Sequence, residues 1–329
     1  MDNDELVAAW VRLNLVPTPR FTADSWFAYG YAGFPGLFRV HEDATYVMKI
    51  NRGLTRALGT LRDEAVLNAR AIADRFHGED LVLMLSGGLD SEYMVRRFLD
   101  AGVPFTTLLI RHARGGNRHD LVPALRLAHK LGLDYRFFDI DMQVLIDSGE
   151  ARELARVSQC KHVGYAPWYV AVRDTPGALV SGFNEPEVNY VPDLQAQIDG
   201  DYSKGTFMFH DHERFPAFQK YLHWTDNHRV IPSFYQYSLE LWAAYLANPF
   251  LVRLVAGQYN RRVHSSDLVK DRAYGLRPRV KYTGYERELT QVFTESEAVR
   301  TSMPFRCWSS TEIPYRDLLS LINHPLGRT

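Results

Sequence analysis

The segment of this chain with the clearest chemical potential is Ser86–Ser91, which reads SGGLDS between an apolar run and an amphipathic helical pattern. Gly87 and Gly88 have no Cβ, so the backbone there can approach a phosphate closely and adopt positive φ values. The two flanking serine hydroxyls can donate to phosphate oxygens. Asp90 repels a phosphate unless a cation lies between them, which points to Mg²⁺ held jointly by Asp90 and the phosphates. The SGGLDS segment therefore predicts a site for a phosphate-bearing ligand.

The sequence around the SGGLDS segment alternates between strand and helix patterns. Leu81–Leu85 is a continuous apolar run, as expected for a parallel strand buried on both faces. The alternation predicts an α/β fold with a doubly wound parallel sheet. Ligands of such sheets bind at the carboxyl ends of the strands, where helix N-termini favour anions. Further strands are predicted at Phe105–Ile110, Tyr135–Ile140 and Ala178–Ser181, and helices at Leu61–Phe76, before Gly102 and at Asp120–Leu131.

Three regions of the chain differ in sequence pattern. Residues 1–60 are rich in glycine, proline and aromatic residues, which predicts short strands and turns without a functional interpretation. Residues 61–200 form the predicted α/β core. Residues 201–329 predict a mostly helical C-terminal portion packed beside the sheet, with helices at Ser238–Leu246 and Arg287–Thr301. We expect this portion to shape the pocket for an acceptor substrate.

Charge and cysteine content exclude several classes of function. With 38 Lys plus Arg, 39 Asp plus Glu and a net charge of -1, the chain lacks the basic footprint of a nucleic-acid-binding protein. Its two cysteines, Cys160 and Cys307, can form neither a cysteine-rich zinc cluster nor a CxxC pair. The N-terminus is acidic, and the apolar runs fall far short of the ~20 residues that cross a bilayer. We expect a cytoplasmic protein with no membrane or nucleic-acid partner.

The SGGLDS segment matches the SGGxDS signature of the PP-loop, or N-type ATP pyrophosphatase, superfamily, which is neither a Walker A loop nor a GxGxxG motif. Enzymes of that superfamily cleave ATP between the α and β phosphates, transfer AMP to an oxygen atom and release pyrophosphate. Three further segments, in order along the chain, resemble the synthetase domain of asparagine synthetase and its relative β-lactam synthetase. They are Leu179–Glu187, Tyr237–Leu251 and Leu268–Gly284. The resemblance covers roughly residues 61–290.

The resemblance implies ATP and Mg²⁺ as cofactors, bound at Ser86, Gly87, Gly88, Asp90 and Ser91. It assigns an acidic loop to Mg²⁺–pyrophosphate binding and to a general base, with Glu187 aligned to the family's final Glu and Glu185 as a displaced carboxylate. The other acidic positions of that loop fall on Phe183 and Pro186. Lys270 is the candidate catalytic cation, because negative charge develops on the α-phosphate and on the departing pyrophosphate. Weaker cationic candidates are Arg272, Arg279 and Lys281.

The implied reaction adenylates a small-molecule carboxylate and then forms an amide with ammonia or an amine. Asparagine synthetase has an N-terminal glutaminase whose cysteine follows the initiator Met, whereas Asp2 stands there in this chain. The roughly 60 residues before the core are too few for such a domain. We therefore expect nitrogen from free ammonia, an amine substrate or a separate glutaminase subunit. Two alternatives stay open: adenylation of a nucleobase carbonyl, and a non-catalytic nucleotide-binding protein, with which Phe183 and Pro186 are consistent.

Polar residues at the ends of the next two predicted strands are secondary candidates. Arg111 and His112 could contact the adenine, ribose or α-phosphate of ATP. The basic loop Arg114–Arg118 could close over the nucleotide. Asp139 and Asp141 could bind ribose hydroxyls or a second Mg²⁺, although a helix N-cap explains Asp141 equally well.

Overall fold

A computed structural model describes residues 15–17, 26–31, 34–35, 37–39, 46–158, 165–183, 185–192, 205–211, 218, 221–222, 225, 227–255, 272–276 and 311–323. Lys270, Arg279, Lys281, both cysteines and the helix predicted at Arg287–Thr301 lie outside the described residues. No helix in the described part of the chain has the length and apolar character needed to cross a membrane.

Thirteen strands and nine α-helices follow one another in the described residues. The strands are β1 (Leu15–Pro17), β2 (Phe27–Tyr31), β3 (Phe34–Pro35), β4 (Leu37–Arg39), β5 (Tyr46–Ile50), β6 (Leu81–Met84), β7 (Thr106–His112), β8 (Tyr135–Ile140), β9 (Ala178–Ser181), β10 (Glu187–Pro192), β11 (Gly205–Asp211), β12 (Val230–Ile231) and β13 (Thr311–Pro314). The helices are α1 (Leu61–Arg75), α2 (Leu89–Ala101), α3 (Arg118–Leu131), α4 (Met142–Asp147), α5 (Glu150–Ser158), α6 (Ala166–Asp174), α7 (Leu239–Leu246), α8 (Pro249–Val255) and α9 (Tyr315–Asn323).

The central sheet has five parallel strands in the order β12-β9-β6-β7-β8. From β6 the chain moves outward through β7 and β8, and then returns to place β9 on the other side of β6. The connection therefore changes direction between β6 and β9, which is the position where open α/β sheets bind ligands at their carboxyl edge. The predicted α/β class with a parallel sheet is confirmed.

Helices pack on both faces of this sheet because the strand side chains alternate between two cores. Leu81 and Leu83 of β6 belong to a core that also contains α1, α2, α3 and α7. Val82 and Met84 belong to a second core with α4, α5 and α6. All four residues are buried, which explains why β6 reads as a continuous apolar run and not as an alternating one.

The described residues after position 200 contain strands as well as helices. Helix α7 lies where the sequence pattern predicts it, whereas β12 extends the parallel sheet and β10, β11 and β13 form a separate antiparallel sheet. The sequence pattern does not predict β12, because two residues are too few to show a strand period. The boundaries proposed at residues 60 and 200 stay predictions.

The N-terminal strands are tied to the C-terminal part of the chain through Trp26. Its side chain is fully buried and packs against Trp242 of α7, with 5.0 Å between the ring centroids. The indole N–H donates to the carbonyl of Gln236 at 3.0 Å. The predicted short strands of this region are confirmed where they are described, and Trp26 anchors them on the core.

Candidate active site

The turn from β6 into α2 contains two glycines, and only Gly87 could not be replaced by a larger residue without strain. Gly87 has φ +80°, and a Cβ atom there would lie 2.4 Å from the carbonyl oxygen of Asp120 and 2.9 Å from the backbone nitrogen of Ala124. Gly88 has φ -78°, and a Cβ atom there would meet only the Ser86 hydroxyl, at 3.4 Å. Of the two glycines that permit a positive φ, only Gly87 therefore uses one. Only Gly87 is required by the close approach of the turn to α3.

The two serines of the SGGLDS segment have different environments. The buried Ser91 hydroxyl donates to the Gly88 carbonyl at 3.1 Å and accepts from the Ser86 N–H at 3.2 Å. The Ser86 hydroxyl lies 3.1 Å from that of Ser91 and is part of an exposed residue. Ser91 thus stabilises the turn, while Ser86 lies at its open side. Phosphate contacts by either serine stay predictions.

Asp90 is held by two tyrosines that the sequence pattern does not single out. The Tyr235 hydroxyl donates to the Asp90 carbonyl oxygen at 3.1 Å, and the Tyr274 hydroxyl donates to the Asp90 carboxylate at 3.0 Å. The ring of Tyr274 stacks on that of Tyr93, with 4.3 Å between the ring centroids. Because Tyr274 lies 184 residues from Asp90, no sequence period could have indicated this contact.

Glu185 shares the surroundings of Asp90. Burial raises the pKa of both Tyr235 and Tyr274 well above the usual value, and the negative charges of Asp90 and Glu185 raise it further. An electrostatic effect on the same two phenols requires both carboxylates to lie near them. Asp90 and Glu185 therefore both lie within electrostatic range of the two buried tyrosines.

The loop after β9 lies directly against the first turn of α2. A Cβ atom on Gly182 would lie 2.9 Å from the Cα atom of Ser91 and 3.3 Å from the carbonyl oxygen of Asp90. Glycine at 182 thus allows the acidic loop to reach the SGGLDS segment. Sequence analysis treats this glycine only as part of a loop, although close approach of backbone is a common reason for glycine.

Two residues of the loop after β9, Phe183 and Pro186, pack against the core, whereas the side chain of Glu187 is not described. Phe183 packs between Trp168 and Phe218, with ring centroid distances of 5.1 and 6.0 Å, and Pro186 is buried. Both residues serve packing, at positions where the sequence-based alignment expects acidic side chains. Glu187 begins β10 opposite His210, and its side chain lies outside the described residues. Its predicted roles as base and Mg²⁺ ligand stay predictions.

Asp90 and Glu185 are carboxylates, the side-chain type that Mg²⁺ takes as a ligand in proteins. This ion is usually bound by one or two carboxylates together with phosphate oxygens of a substrate. Within the described ranges, no group of three or more His, Cys, Asp or Glu side chains could hold a metal. The two carboxylates would therefore need ligand oxygens to complete a Mg²⁺ site.

A cavity of about 250 Å³ opens beside Ser86 at the carboxyl ends of β6 and β7. The aromatic rings of Trp168 and Phe183 line it together with His112 and apolar side chains of the strands. Burial, to which the neighbouring His119 adds, lowers the pKa of His112 to about 4, so this imidazole is neutral at pH 7. The cavity can accept a flat, largely apolar ring next to the SGGLDS segment.

Arg111 and Asp139, at the ends of β7 and β8, pair with each other. Arg111 donates to both carboxylate oxygens, through Nε and through Nη2 at 2.7 Å, and its guanidinium lies 4.2 Å from the ring centroid of Phe137. These hydrogen bonds lower the pKa of Asp139. Both side chains are exposed. Their predicted contacts with ATP stay predictions, and in this structure each neutralises the other.

Asp141 caps the N-terminus of α4. Its carboxylate accepts from the backbone N–H of Gln143 at 2.9 Å and of Val144 at 3.4 Å. The N-cap interpretation is therefore confirmed.

Comparisons with known proteins give no family assignment. No family model matches the chain. No curated protein matches it either. Solved structures with some similarity include a predicted subunit of tRNA methyltransferase from Methanocaldococcus jannaschii, NMN synthetase from Francisella tularensis and an NH3-dependent NAD synthetase from Campylobacter jejuni.

The similarity to these structures is low. The tRNA methyltransferase subunit is 15% identical with a TM-score of 0.24, over 32% of this chain and 53% of that one. The chain thus spans about half the length of this relative. NMN synthetase is 15% identical with a TM-score of 0.30, over 73% and 94% of the two chains. NAD synthetase is 14% identical with a TM-score of 0.30, over 74% and 96%. Such scores carry no conclusion about function, and none of the three is an asparagine synthetase.

Proposed function

We propose that the SGGLDS segment binds the triphosphate of ATP with Mg²⁺ and that the protein adenylates a small-molecule carboxylate, releasing pyrophosphate. Ammonia or an amine then attacks the acyl carbon of the adenylate, which forms the amide and releases AMP. The observation that carries this proposal is the close approach of the loop after β9 to the glycine turn at the β6–β9 switch point. Asp90 of the turn and Glu185 of that loop both act electrostatically on the buried Tyr235. Acidic groups at a phosphate site need a cation between them and the phosphate, as a metal-dependent nucleotide enzyme provides.

The backbone of the turn supports phosphate binding. Gly88 is the N-cap of α2, and no side chain in the described part of the chain caps this helix end. A helix N-terminus carries roughly half a positive charge, which favours an anion. Ser86 lies at the open side of the turn and can donate its hydroxyl to a phosphate oxygen.

Asp90 and Glu185 would hold Mg²⁺, which supplies charge neutralisation along the triphosphate when bound. Tyr274 orients the Asp90 carboxylate through its hydrogen bond. Glu185, half-buried in the loop after β9, is our candidate for accepting a proton from the attacking amine. Lys270 and Glu187 remain part of the proposal as charge stabiliser and as second candidate base.

The cavity beside Ser86 suits the adenine base. Its aromatic walls can stack on a purine, and the neutral His112 avoids placing a charge against the ring. The proposal thus places the base under Trp168 and Phe183, with the phosphates on the SGGLDS segment.

Pyrophosphate release from ATP tests the proposal directly. A panel of carboxylates, each with and without ammonium, should include at least one that stimulates release in the presence of Mg²⁺. Asp90→Ala should abolish the stimulated release, because it removes one of the two acidic groups. Asp139→Ala is the matched control: it removes a carboxylate from a nearby strand end, and release should persist. Full activity of Asp90→Ala would contradict the proposal. Glutamine in place of ammonium, with a separate glutaminase, tests the predicted partner.

A second candidate is a protein that binds nucleotide without turnover. The packing of Phe183 against Trp168 and the burial of Pro186 favour it, because these residues leave fewer acidic groups than the related loop has. Saturable binding of ATP, without pyrophosphate release for any carboxylate or nucleobase acceptor, would support this candidate over the first.

A further inference from the structure

Asn117 is a buried residue of the cavity proposed for the base, and its carboxamide bonds the backbone of β7. The residue is 8% exposed and lines the cavity together with Ile110 and His112. Its Oδ1 atom accepts from the backbone N–H of His112 at 2.9 Å, and its Nδ2 atom donates to the carbonyl of Ile110 at 2.7 Å. One side-chain amide therefore holds two peptide groups of the same strand.

These two peptide groups face the side of β7 on which β6 lies. The N–H of Leu85 donates to the carbonyl of Leu108, so the peptide groups of Leu108 point toward β6. Peptide groups two residues apart along a strand point to the same side, which gives Ile110 and His112 the same direction. Because β6 ends at Met84 and the chain then turns into the SGGLDS segment, both groups lie at the carboxyl edge of the sheet, where the cavity opens.

The side chain of Asn117 does not have the usual role of a residue at its position. Asn117 is the N-cap of α3, where asparagine is favoured because its side chain can accept from the first N–H groups of a helix. Within the described residues it makes no such capping bond. The side chain thus acts on the strand edge at the cavity and not on the helix that it begins.

The carboxamide resembles one edge of adenine in its hydrogen-bonding groups. An amide has an acceptor oxygen and a donor nitrogen on one carbon atom. Adenine has an acceptor ring nitrogen, N1, and a donor amino group, N6, around one carbon atom in the same way. Hypoxanthine, the base of inosine triphosphate (ITP), has a donor at N1–H and an acceptor at O6, which is the reverse order. Without Asn117, the two peptide groups of β7 would therefore distinguish these bases.

We propose that Asn117 sets the base selectivity of the nucleotide site, because its carboxamide holds the two β7 peptide groups that would otherwise read the edge of the base. The inference rests on the proposed function, which places a purine in this cavity. Displacement of a buried carboxamide with two hydrogen bonds is unfavourable, since its polar atoms would need new partners. A base stacked on Trp168 and Phe183 thus meets an edge that is already occupied, and the site accepts purine triphosphates with little regard to the groups at ring positions 1 and 6.

Binding of two nucleotide analogues tests the role of Asn117. ATP and ITP, each with a methylene bridge between the α and β phosphates to prevent cleavage, are titrated with Mg²⁺ into the full chain in a calorimeter. The wild-type protein should bind the two analogues within about threefold of each other. In Asn117→Ala, the preference for the ATP analogue should rise at least about fivefold over that of wild type, because adenine can make two hydrogen bonds with the freed groups and hypoxanthine cannot.

Asn68→Ala is the matched control. Asn68 is also buried, and its carboxamide donates to the backbone carbonyl of Phe234 at 2.9 Å, but it does not belong to the described lining of the cavity. Loss of this side chain should lower the stability, while the preference between the analogues stays within about twofold of wild type. An equal change of preference in both variants would show that selectivity follows stability and not the strand edge, which would overturn the proposal.

The remaining results separate a failure of this inference from a failure of the proposed function. If neither analogue binds to the wild-type protein, the proposed function fails and the inference fails with it. If both bind, a wild-type preference beyond about threefold or a rise smaller than about fivefold in Asn117→Ala overturns only the role of Asn117. The thermal midpoint verifies that Asn117→Ala is folded. If it is not, Asn117→Ser, whose hydroxyl can cap α3, decides the question with the same expected rise.

Discussion

Two adjacent parts of the sheet's carboxyl edge have similar residue types in different surroundings. After β6 and β9, Asp90 and Glu185 lie beside buried tyrosines, and Gly182 brings the two loops into contact. After β7 and β8, Arg111 and Asp139 form an exposed pair.

The comparison of these two parts shows that the burial of the neighbouring residues decides whether a charged group can serve a functional site. Solvent screens the exposed pair, so each partner mainly neutralises the other. The half-buried Asp90 accepts hydrogen bonds from the hydroxyls of the buried Tyr235 and Tyr274, which is the kind of environment found at functional sites. Position at the carboxyl edge is necessary for a ligand site in this fold, but it is not sufficient.

The largest expected effect concerns the glycine turn. Gly87→Ala should lower the free energy of unfolding by about 2–5 kcal/mol, because it combines a left-handed backbone with overlap of Cβ and a backbone oxygen. Gly88→Ala, one residue further, should cost less than about 1 kcal/mol because its φ is ordinary and its nearest neighbour is at contact distance. Urea unfolding of the two variants measures the difference. Equal losses would show that the turn does not approach α3 as described.

The next effect is a pH dependence of stability that arises from His112, which is buried at the end of β7 beside the exposed Arg111. The pKa of His112 is about 4 in the folded protein and about 6.5 when unfolded, so the unfolded chain takes up the proton first as pH falls. This contribution to stability is complete above pH 6.5 and decreases by about 2–3 kcal/mol as pH falls to about 4.

Urea unfolding at pH 7 and at pH 4.5 measures that loss. Between pH 7 and pH 4.5, the free energy of unfolding should fall by about 2–3 kcal/mol less in His112→Gln than in the wild-type protein. His77→Gln, at an exposed position after α1, is the control for the loss of one histidine. A pH dependence unchanged in His112→Gln would contradict the buried, neutral state of the imidazole.

A smaller effect is expected when Asp90 loses one of its donors. Tyr274→Phe keeps the ring stack and removes the hydroxyl, so the affinity for ATP with Mg²⁺ should fall about three- to tenfold. Tyr93→Phe is the matched variant, because its hydroxyl donates to the Leu61 carbonyl and not to Asp90. Both variants should lose about 1 kcal/mol of stability, but only Tyr274→Phe should weaken nucleotide binding. If both variants bound ATP with equal affinity, Tyr274 would have no role in positioning Asp90 for the nucleotide.

The smallest effect is expected at the exposed pair. Arg111→Gln and Asp139→Asn should leave both the midpoint of unfolding and the affinity for ATP unchanged within measurement error, because solvent already screens these charges. A clear loss of ATP affinity in Arg111→Gln would show that Arg111 leaves Asp139 to contact the nucleotide, as the sequence position suggests.

The sequence by itself determines the parallel sheet and the position of the glycine turn. Both depend on local patterns: a strand buried on two faces must be continuously apolar, and a turn with positive φ needs glycine. Hence the predicted bounds of β8 and β9 agree with the structure, and that of β6 differs by one residue.

Only the tertiary structure decides which charged groups act together. Tyr274 reaches Asp90 across 184 residues. No period or spacing along the chain encodes such contacts, because they arise from how helices and loops pack after the sheet has formed. For the same reason Arg111 and Asp139, correctly placed at the ligand edge, pair with each other: the register of β7 and β8 sets them side by side.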